Sequence, residues 1–180
     1  MLRLLRITDF AIIDALEVGF GPGLNVLTGE TGAGKSIIFE ALNLALGGRA
    51  SGDLIRTGAE EAAVETIFDL PDTSGGRAAR AAVEAAGVEI GPEGELIVRR
   101  RVSASGRSRI YLNGALSTAA TLAGGGERIV NIHGQHAHQS LLRPALHLSL
   151  LDDFAGLAAE RGALAELVGE MRAAERAREV

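Results

Sequence analysis

The sequence predicts an α/β fold in which a glycine-rich loop joins a strand to a helix. Three observations predict it. The apolar run Leu24–Thr28 enters the loop, residues with helical periodicity leave it, and apolar alternation recurs in later segments. Apolar residues make up 47% of the 180 residues, which is enough for one domain with a hydrophobic core.

The N-terminal part is predicted to be rich in strands. Leu2–Ile7 and Ile12–Phe20 are apolar segments separated by a break at Thr8–Asp9, and both have the composition of strands. A turn follows at Gly21–Gly23. Leu24–Thr28 is then predicted to be a short buried strand that ends where the loop begins.

The middle of the chain is predicted to contain both helices and strands. Lys35–Leu46 carries apolar residues at helical spacing, and the two glycines after it predict its end. The later elements are predicted to be a strand, a helix, a hairpin, a short helix and a short strand, at Ala63–Leu70, Arg77–Ala86, Glu95–Val102 with Ser108–Asn113, Ser117–Leu122 and Arg128–Ile132.

From about Leu146 the pattern is helical to the last residue. Leu157, Leu164 and Met171 recur every seven residues and are surrounded by charges. This spacing is typical of a coiled-coil seam or of a long amphipathic helix. We therefore expect residues 1–150 to form one lobe and residues 151–180 to begin a coiled coil.

The composition narrows the class of protein. The absence of cysteine excludes disulfides and cysteine-based zinc sites. Charges interrupt the N-terminus, and no apolar run approaches the roughly 20 residues of a membrane span, so a cytoplasmic protein is expected. The net charge of −5 gives no overall positive field that would attract nucleic acid.

The chemistry is predicted to lie in the loop GETGAGKS, which matches the phosphate-binding pattern G-x-x-x-x-G-K-[ST]. Its glycines let the backbone curl so that amide groups point at phosphate oxygens. The helix that follows places its positive end under the phosphates. Lys35 would reach the β- and γ-phosphates, and the Ser36 hydroxyl would bind Mg²⁺. The predicted nucleotide-binding residues are Gly29, Glu30, Thr31, Gly32, Ala33, Gly34, Lys35, Ser36 and Ile37.

The nucleotide is predicted to be ATP. The guanine-reading motif N-K-x-D cannot occur, because Lys35 is the only lysine. Two stretches resemble hydrolysis motifs only superficially. Leu148–Asp153 (LSLLDD) has helical rather than strand spacing, and Leu122–Glu127 (LAGGGE) has Ala123 where a signature loop has a serine. The loop alone therefore predicts nucleotide binding and leaves hydrolysis undecided.

The opening segment RITDFAIIDALEVGFGPGLNVLTGETGAGKSII resembles the ATPase heads of the structural-maintenance-of-chromosomes (SMC) group within the ABC class. The segments NIHGQHAHQSLL, DLIRTG with AAVETIFDL, and SRIYLNG are similar to parts of the RecN family of bacterial SMC-like DNA repair ATPases. The resemblance covers essentially the whole chain. It implies the N-terminal lobe of a P-loop ABC-type ATPase head, with a mixed sheet and the start of a coiled coil.

The resemblance also implies an activity and its partners. The signature loop, the acidic pair and the switch histidine would lie in a C-terminal lobe beyond the coiled coil, so this chain alone is expected to hydrolyse almost no ATP. The expected partners are that lobe, a second head in a homodimer, and DNA at double-strand breaks, in the cytoplasm and at the nucleoid.

The stretch VNIHGQHAHQSLL at residues 130–142 is interpreted through Gln135. In ABC-type heads a glutamine at such a place reaches Mg²⁺ and the attacking water. The resemblance therefore assigns Gln135 to the metal together with Ser36, and to catalysis together with Lys35. Zinc binding is disfavoured because no carboxylate or cysteine lies at suitable spacing from the nearby histidines, His133, His136 and His138. Those histidines are expected to be solvated or to support the loop.

Three other polar positions have specific expectations. Arg56 in DLIRTG is expected to approach the nucleotide, as an arginine in the matching region of related heads does, and a surface role is the alternative. Asn25 is expected to be structural. The basic run Arg99–Arg101 is expected to be a solvated strand rather than a DNA contact, with two of its side chains on one face.

Two other classes of function stay open from the residues alone. A P-loop kinase of a small metabolite would need its own acidic Mg²⁺ ligand and an arginine-bearing lid, and the hairpin and the heptads argue against it. A non-catalytic module with a degenerate loop is disfavoured by the intact Lys35 and Ser36.

Overall fold

A computed structural model describes residues 1–29, 34–70, 72, 74–122, 130 and 144–178. They fall into two compact units, Met1–Asn131 and Ile132–Val180. The described residues of the first unit form a sheet with helices, and those of the second unit are mainly helical. The predicted α/β class is confirmed.

The first unit is built on a six-stranded sheet in which all neighbouring strands are antiparallel. The strands in chain order, β1 to β6, are Leu2–Phe10, Ile13–Gly19, Glu61–Asp69, Glu95–Ser103, Ser108–Leu112 and Ala115–Ser117. Their spatial order is β2-β1-β3-β4-β5-β6. The predicted strands at residues 2–20, 63–70 and 95–113 are confirmed, and β6 is an element that the sequence pattern missed.

The core lies under one face of the sheet because the strands alternate between buried and less buried residues. In β3 the buried positions are Ala62, Val64, Thr66 and Phe68. Two apolar clusters cover this face. One includes Phe68, Val98 and Leu112, and the other includes Leu5, Val64 and Leu44. Charged side chains such as Glu65 occupy the opposite face.

Among the described residues of the first unit, two 11-residue helices flank the strands, α1 (Lys35–Ala45) and α2 (Ser74–Glu84), and residues 119–122 are helical as well. Both were predicted and are confirmed. α1 ends at Gly47 and Gly48, as the sequence predicts. Gly47 has a φ of +105°, a left-handed conformation that glycine adopts at little cost. The Gly48 amide donates to the Asn43 carbonyl at 2.9 Å and closes the helix.

The predicted strand at Leu24–Thr28 is wrong. The segment has no strand pairing among the described residues, and Leu24 and Val26 are 91% and 70% exposed. A buried strand needs hydrogen-bonding neighbours and covered faces. The described part of the chain supplies neither on this side of the loop, so the apolar run forms no strand and is exposed.

Two helices lie in the described residues of the second unit, α3 (Pro144–Phe154) and α4 (Ala158–Arg178). The helical prediction from about Leu146 agrees with these two helices but missed the break at residues 155–157, and LSLLDD lies inside α3 rather than in a strand. Of the predicted seam, Leu164 and Met171 are exposed on α4 together with Leu167, whereas Leu157 is exposed in the break between α3 and α4. In the parts of the chain that the structure describes, no helix has the length and apolar character needed to cross a membrane.

Thr66 is a polar residue buried in the core, and its hydroxyl has no hydrogen-bond partner among the described residues. We expect Thr66→Val to raise the free energy of unfolding by about 1 kcal/mol, because valine keeps the shape and removes an unpaired polar atom. Urea denaturation of both proteins measures the change. A lower stability for the variant would show that the hydroxyl has a partner, such as a buried water molecule.

Candidate nucleotide-binding site

The predicted phosphate-binding loop ends at the first residue of α1. Gly34, the N-cap, has a φ of +91° and a ψ of −3°, a left-handed conformation that disfavours any residue with a Cβ. Its carbonyl accepts the amides of Ile37 and Ile38 at 3.0 and 3.1 Å. This conformation explains why a glycine precedes Lys35, and it allows α1 to begin abruptly.

Lys35 folds back across the loop. Its Nζ donates a hydrogen bond to the carbonyl oxygen of Gly29, so the side chain joins the end of the loop to its beginning. Ser36, the next residue, is exposed in the first turn of α1. The intervening loop residues lie outside the described residues, namely Glu30, Thr31, Gly32 and Ala33.

The electrostatics of this helix end suit a phosphate. α1 has no acidic residue in its first turn, so no carboxylate of its own competes for the positive end of the helix dipole. The ammonium group of Lys35 adds a full positive charge at the same place. The Ser36 hydroxyl is a suitable ligand for Mg²⁺, which prefers oxygen donors beside phosphate groups. Lys35 and Ser36 therefore fit a Mg²⁺-nucleotide.

Asn25 fixes the turn that leads towards the loop. Its side-chain oxygen accepts the Gly21 amide at 3.0 Å, and its Nδ2 donates to the carbonyls of Gly21 and Gly23 at 2.8 and 3.3 Å. Gly23 has a φ of +83° within this turn. The structural role predicted for Asn25 is confirmed.

The segment that carries Arg56 is pinned to the turn between β1 and β2. The amide of Arg56 donates to the Asp9 carbonyl at 2.9 Å, and its Nη1 lies 3.5 Å from the carbonyl of Ile12. The preceding residue, Ile55, packs on the same apolar cluster as Ile37 in the first turn of α1. A contact between Arg56 and a nucleotide stays a prediction.

The basic run on β4 is divided between the two faces of the sheet. Arg99 pairs with Glu65 at 2.5 Å and Arg101 pairs with Glu61 at 3.3 Å on the exposed face. Arg100 lies on the buried face. The prediction that two of the three side chains share one face is confirmed, and the expectation of a solvated strand is wrong for Arg100. The burial of Arg100 was not predicted, although the alternation of β4 was the signal that could have shown it.

The other predicted site residue, Gln135, lies outside the described residues, as do His133, His136 and His138. His147 is exposed on α3. Among the residues that the structure does describe, no group of three or more histidine, aspartate or glutamate side chains could hold a metal ion. The assignment of Gln135 to Mg²⁺ stays a prediction.

The chain is similar to known proteins both in sequence and in fold. A family model described as an AAA domain matches residues 4–142. DNA repair protein RecN of Halalkalibacterium halodurans is 48% identical over 156 residues, and RecN of Bacillus subtilis is 44% identical over 160 residues. These alignments cover 87% and 89% of this chain and 27% of each relative.

Two solved structures share the fold. A chain from a study of ATP-driven dimerization and DNA-stimulated activation of SMC ATPases superposes with a TM-score of 0.59 and 24% identity, over 85% of this chain and 98% of that one. The Smc head domain of Pyrococcus furiosus, which has an extended coiled coil, superposes with a TM-score of 0.61 and 24% identity, over 97% of this chain and 46% of that one. The fold is therefore that of an SMC-type head.

Proposed function

The chain belongs to the AAA domain family and resembles the RecN DNA repair proteins, and from this premise we propose that it is the ATP-binding half of an SMC-like ATPase head. The observation that carries the proposal is the geometry at the start of α1. A left-handed glycine caps the helix, Lys35 bridges back to Gly29, and Ser36 is exposed beside it.

Each loop residue has a distinct role in this proposal. Lys35 exchanges its contact with the Gly29 carbonyl for the β- and γ-phosphate oxygens, and the dipole of α1 offsets their remaining charge. Ser36 and Gln135 would hold Mg²⁺, which bridges phosphate oxygens and stabilises developing negative charge. The Gln135 amide would also orient the attacking water. Arg56 would approach the nucleotide from the segment that is pinned beside the β1–β2 turn.

The exposed run Leu24–Thr28 supports the proposal that a C-terminal lobe completes the sheet. This chain spans only 27% of the length of its RecN relatives, so most of a RecN-like protein would lie outside it. Leu24, Val26 and Leu27 of the run are apolar and exposed, as expected for a strand whose neighbours come from another segment. Those neighbours would add the parallel part of a mixed sheet around the phosphate-binding loop.

The remaining partners are proposed from a solved structure that shares the fold. The solved SMC ATPase cited above concerns ATP-driven dimerization and DNA-stimulated activation. We extend this to a second head that closes on ATP and reopens after hydrolysis, with DNA as the substrate of repair and recombination. The exposed seam on α4 would continue as the coiled coil between the two lobes. The complete protein would work in the cytoplasm at the nucleoid.

A turnover assay with two samples tests the proposed function. We expect this chain alone to bind Mg²⁺-ATP and to hydrolyse it at the background rate. Co-expression with the C-terminal part of the same protein should raise turnover about a hundredfold or more, because groups that stabilise the transition state each contribute on the order of 3 kcal/mol. Robust phosphorylation of a small metabolite by this chain alone would contradict the proposal.

A further inference from the structure

Arg100 is a buried cation in the middle of a basic run. Its residue is 3% exposed, whereas Arg99 and Arg101 on either side point to solvent and form ion pairs with carboxylates. Among the described residues no carboxylate lies within ion-pair distance of Arg100. Burial lowers the pKa of its guanidinium below the usual value. A buried charge without an ionic partner is costly unless every donor is satisfied, so the contacts of this side chain matter.

Three hydrogen bonds hold the guanidinium, and two of them go to carbonyl groups at the C-terminal end of α1. Its Nη1 donates to the carbonyl oxygens of Leu44 and Gly48, both at 2.7 Å, and its Nε donates to the Ser108 hydroxyl at 2.8 Å. The negative end of the helix dipole lies at these carbonyls, which favours a cation there. The planar fork of arginine reaches helix and strand together, and the single nitrogen of a lysine cannot reproduce this arrangement.

The opposite end of the same helix carries the phosphate-binding loop. α1 has 11 residues, which correspond to roughly 16 Å. Over this length a hydrogen-bonded helix moves as one body, so fixing its C-terminal end also fixes the position of Lys35. The buried residues of α1 are Ala41, Leu44 and Ala45. Ile37, Ile38 and Leu42 of the same helix also pack against the apolar clusters, and the hydrogen bonds of Arg100 add a directional anchor to this apolar contact.

We propose that Arg100 is a positioning residue for the nucleotide site, which anchors the C-terminal end of α1 to β4 and so holds the phosphate-binding loop at its other end in place. The inference rests on the proposed ATP-binding function. Arg100 touches no nucleotide in this account and acts only through α1.

Gly48 provides an independent way to disturb the same anchor. A Cβ built on Gly48 would lie 2.8 Å from both Nδ2 and the carbonyl oxygen of Asn43. The clash with the Asn43 backbone would displace the Gly48 carbonyl that Arg100 binds. Gly48→Ala therefore perturbs the anchor from the helix side and leaves the guanidinium itself unchanged.

The test compares four variants of the complete chain by two measurements. The variants are Arg100→Met, Arg100→Lys, Gly48→Ala and the matched control Arg99→Met, which removes a neighbouring exposed arginine. Amide hydrogen exchange reports the protection of α1, and titration with a fluorescent ATP analogue and Mg²⁺ reports binding. Urea denaturation first fixes a temperature at which each variant is folded, so that a loss of binding is not a loss of folded protein.

Arg100→Met is expected to speed exchange at both ends of α1 and to weaken nucleotide binding about tenfold. Arg100→Lys should recover part of the binding because it restores the charge at the carbonyls. Gly48→Ala should shift exchange and binding in the same direction as Arg100→Met. Arg99→Met should match the wild type in both measurements.

Three results would overturn the inference. The first is unchanged binding by a folded Arg100→Met variant, and the second is weaker binding without any change in the exchange of α1. The third is an equal loss in Arg99→Met. If Arg100→Met does not fold, the Gly48→Ala variant tests the inference in its place. Normal nucleotide binding by Gly48→Ala, together with altered exchange at the C-terminal end of α1, would overturn the inference. A wild-type chain that binds no nucleotide would instead refute the proposed function, and the positioning role would fall with it.

Discussion

Lys35→Ala is expected to weaken binding of Mg²⁺-ATP by about a hundredfold or more, and to abolish hydrolysis in the complete head. Lys35 is the only lysine of the chain and already bridges the loop to the Gly29 carbonyl. Alanine removes the cation that would face the phosphates, and the loss of one partner of a charged pair costs about 2–5 kcal/mol. Isothermal titration with ATP and Mg²⁺ measures the change.

The matched control for this variant is Arg109→Ala, which removes an exposed cation from β5. It lowers the positive charge by the same amount and should bind ATP like the wild type. Lys35→Ala should also keep the urea midpoint of the wild type within error, because its side chain is only partly buried. Normal ATP binding by a folded Lys35→Ala variant would show that the loop does not hold the phosphates.

Val26→Asp is expected to have the second largest effect on turnover. The effect should appear only when the C-terminal part of the protein is present. Val26 is 70% exposed in this chain, so a charge there should leave its stability and its ATP binding unchanged. If Val26 becomes a buried strand residue when the sheet is completed, an unpaired carboxylate at this position costs several kcal/mol. Turnover by the co-expressed halves should then fall about a hundredfold, together with their co-purification.

Leu116→Asp serves as the comparison, because Leu116 is an apolar residue of β6 with a similar exposure of 73%. It tests whether any charged substitution at an exposed apolar position disrupts assembly. We expect normal co-purification and turnover for this variant. Equal losses for the two variants, or no loss for Val26→Asp, would mean that the run Leu24–Thr28 is not the place where the C-terminal lobe joins.

The local sequence pattern was sufficient to predict the elements that have a clear apolar periodicity and clear end signals. The helix at Lys35–Ala45 was predictable because apolar periodicity and two terminal glycines agree. The hairpin of β4 and β5 was predictable from alternation around a turn. The three-residue strand β6 has too few residues to show a period. Its pairing depends on β5, which is tertiary information that no local pattern contains.

The run Leu24–Thr28 shows why a segment with the composition of a strand can be predicted wrongly. Its apolar residues have the pattern of a buried parallel strand, but a strand also needs neighbours that satisfy its backbone. The described residues provide none. The composition alone therefore predicts a strand that the described residues do not form.

The residue types of the candidate site were predictable from the sequence, whereas the contacts that position these residues were not. The pattern G-x-x-x-x-G-K-[ST] identified Gly34, Lys35 and Ser36, and the structure places them at the start of one helix. Arg100 could not be recognised from the run RRR alone, because its role depends on the distant carbonyls of Leu44 and Gly48. Contacts between segments far apart in sequence set the position of the loop.

The most direct test is a crystal structure of this chain with Mg²⁺ and a non-hydrolysable ATP analogue. Our account predicts a triphosphate wrapped by Gly29–Ser36, with the Lys35 ammonium on its outer phosphates and both the Ser36 hydroxyl and the Gln135 amide on one magnesium ion. A triphosphate bound elsewhere, or a Gln135 side chain directed away from the metal, would contradict the assignment of this chain as the ATP-binding half of the head.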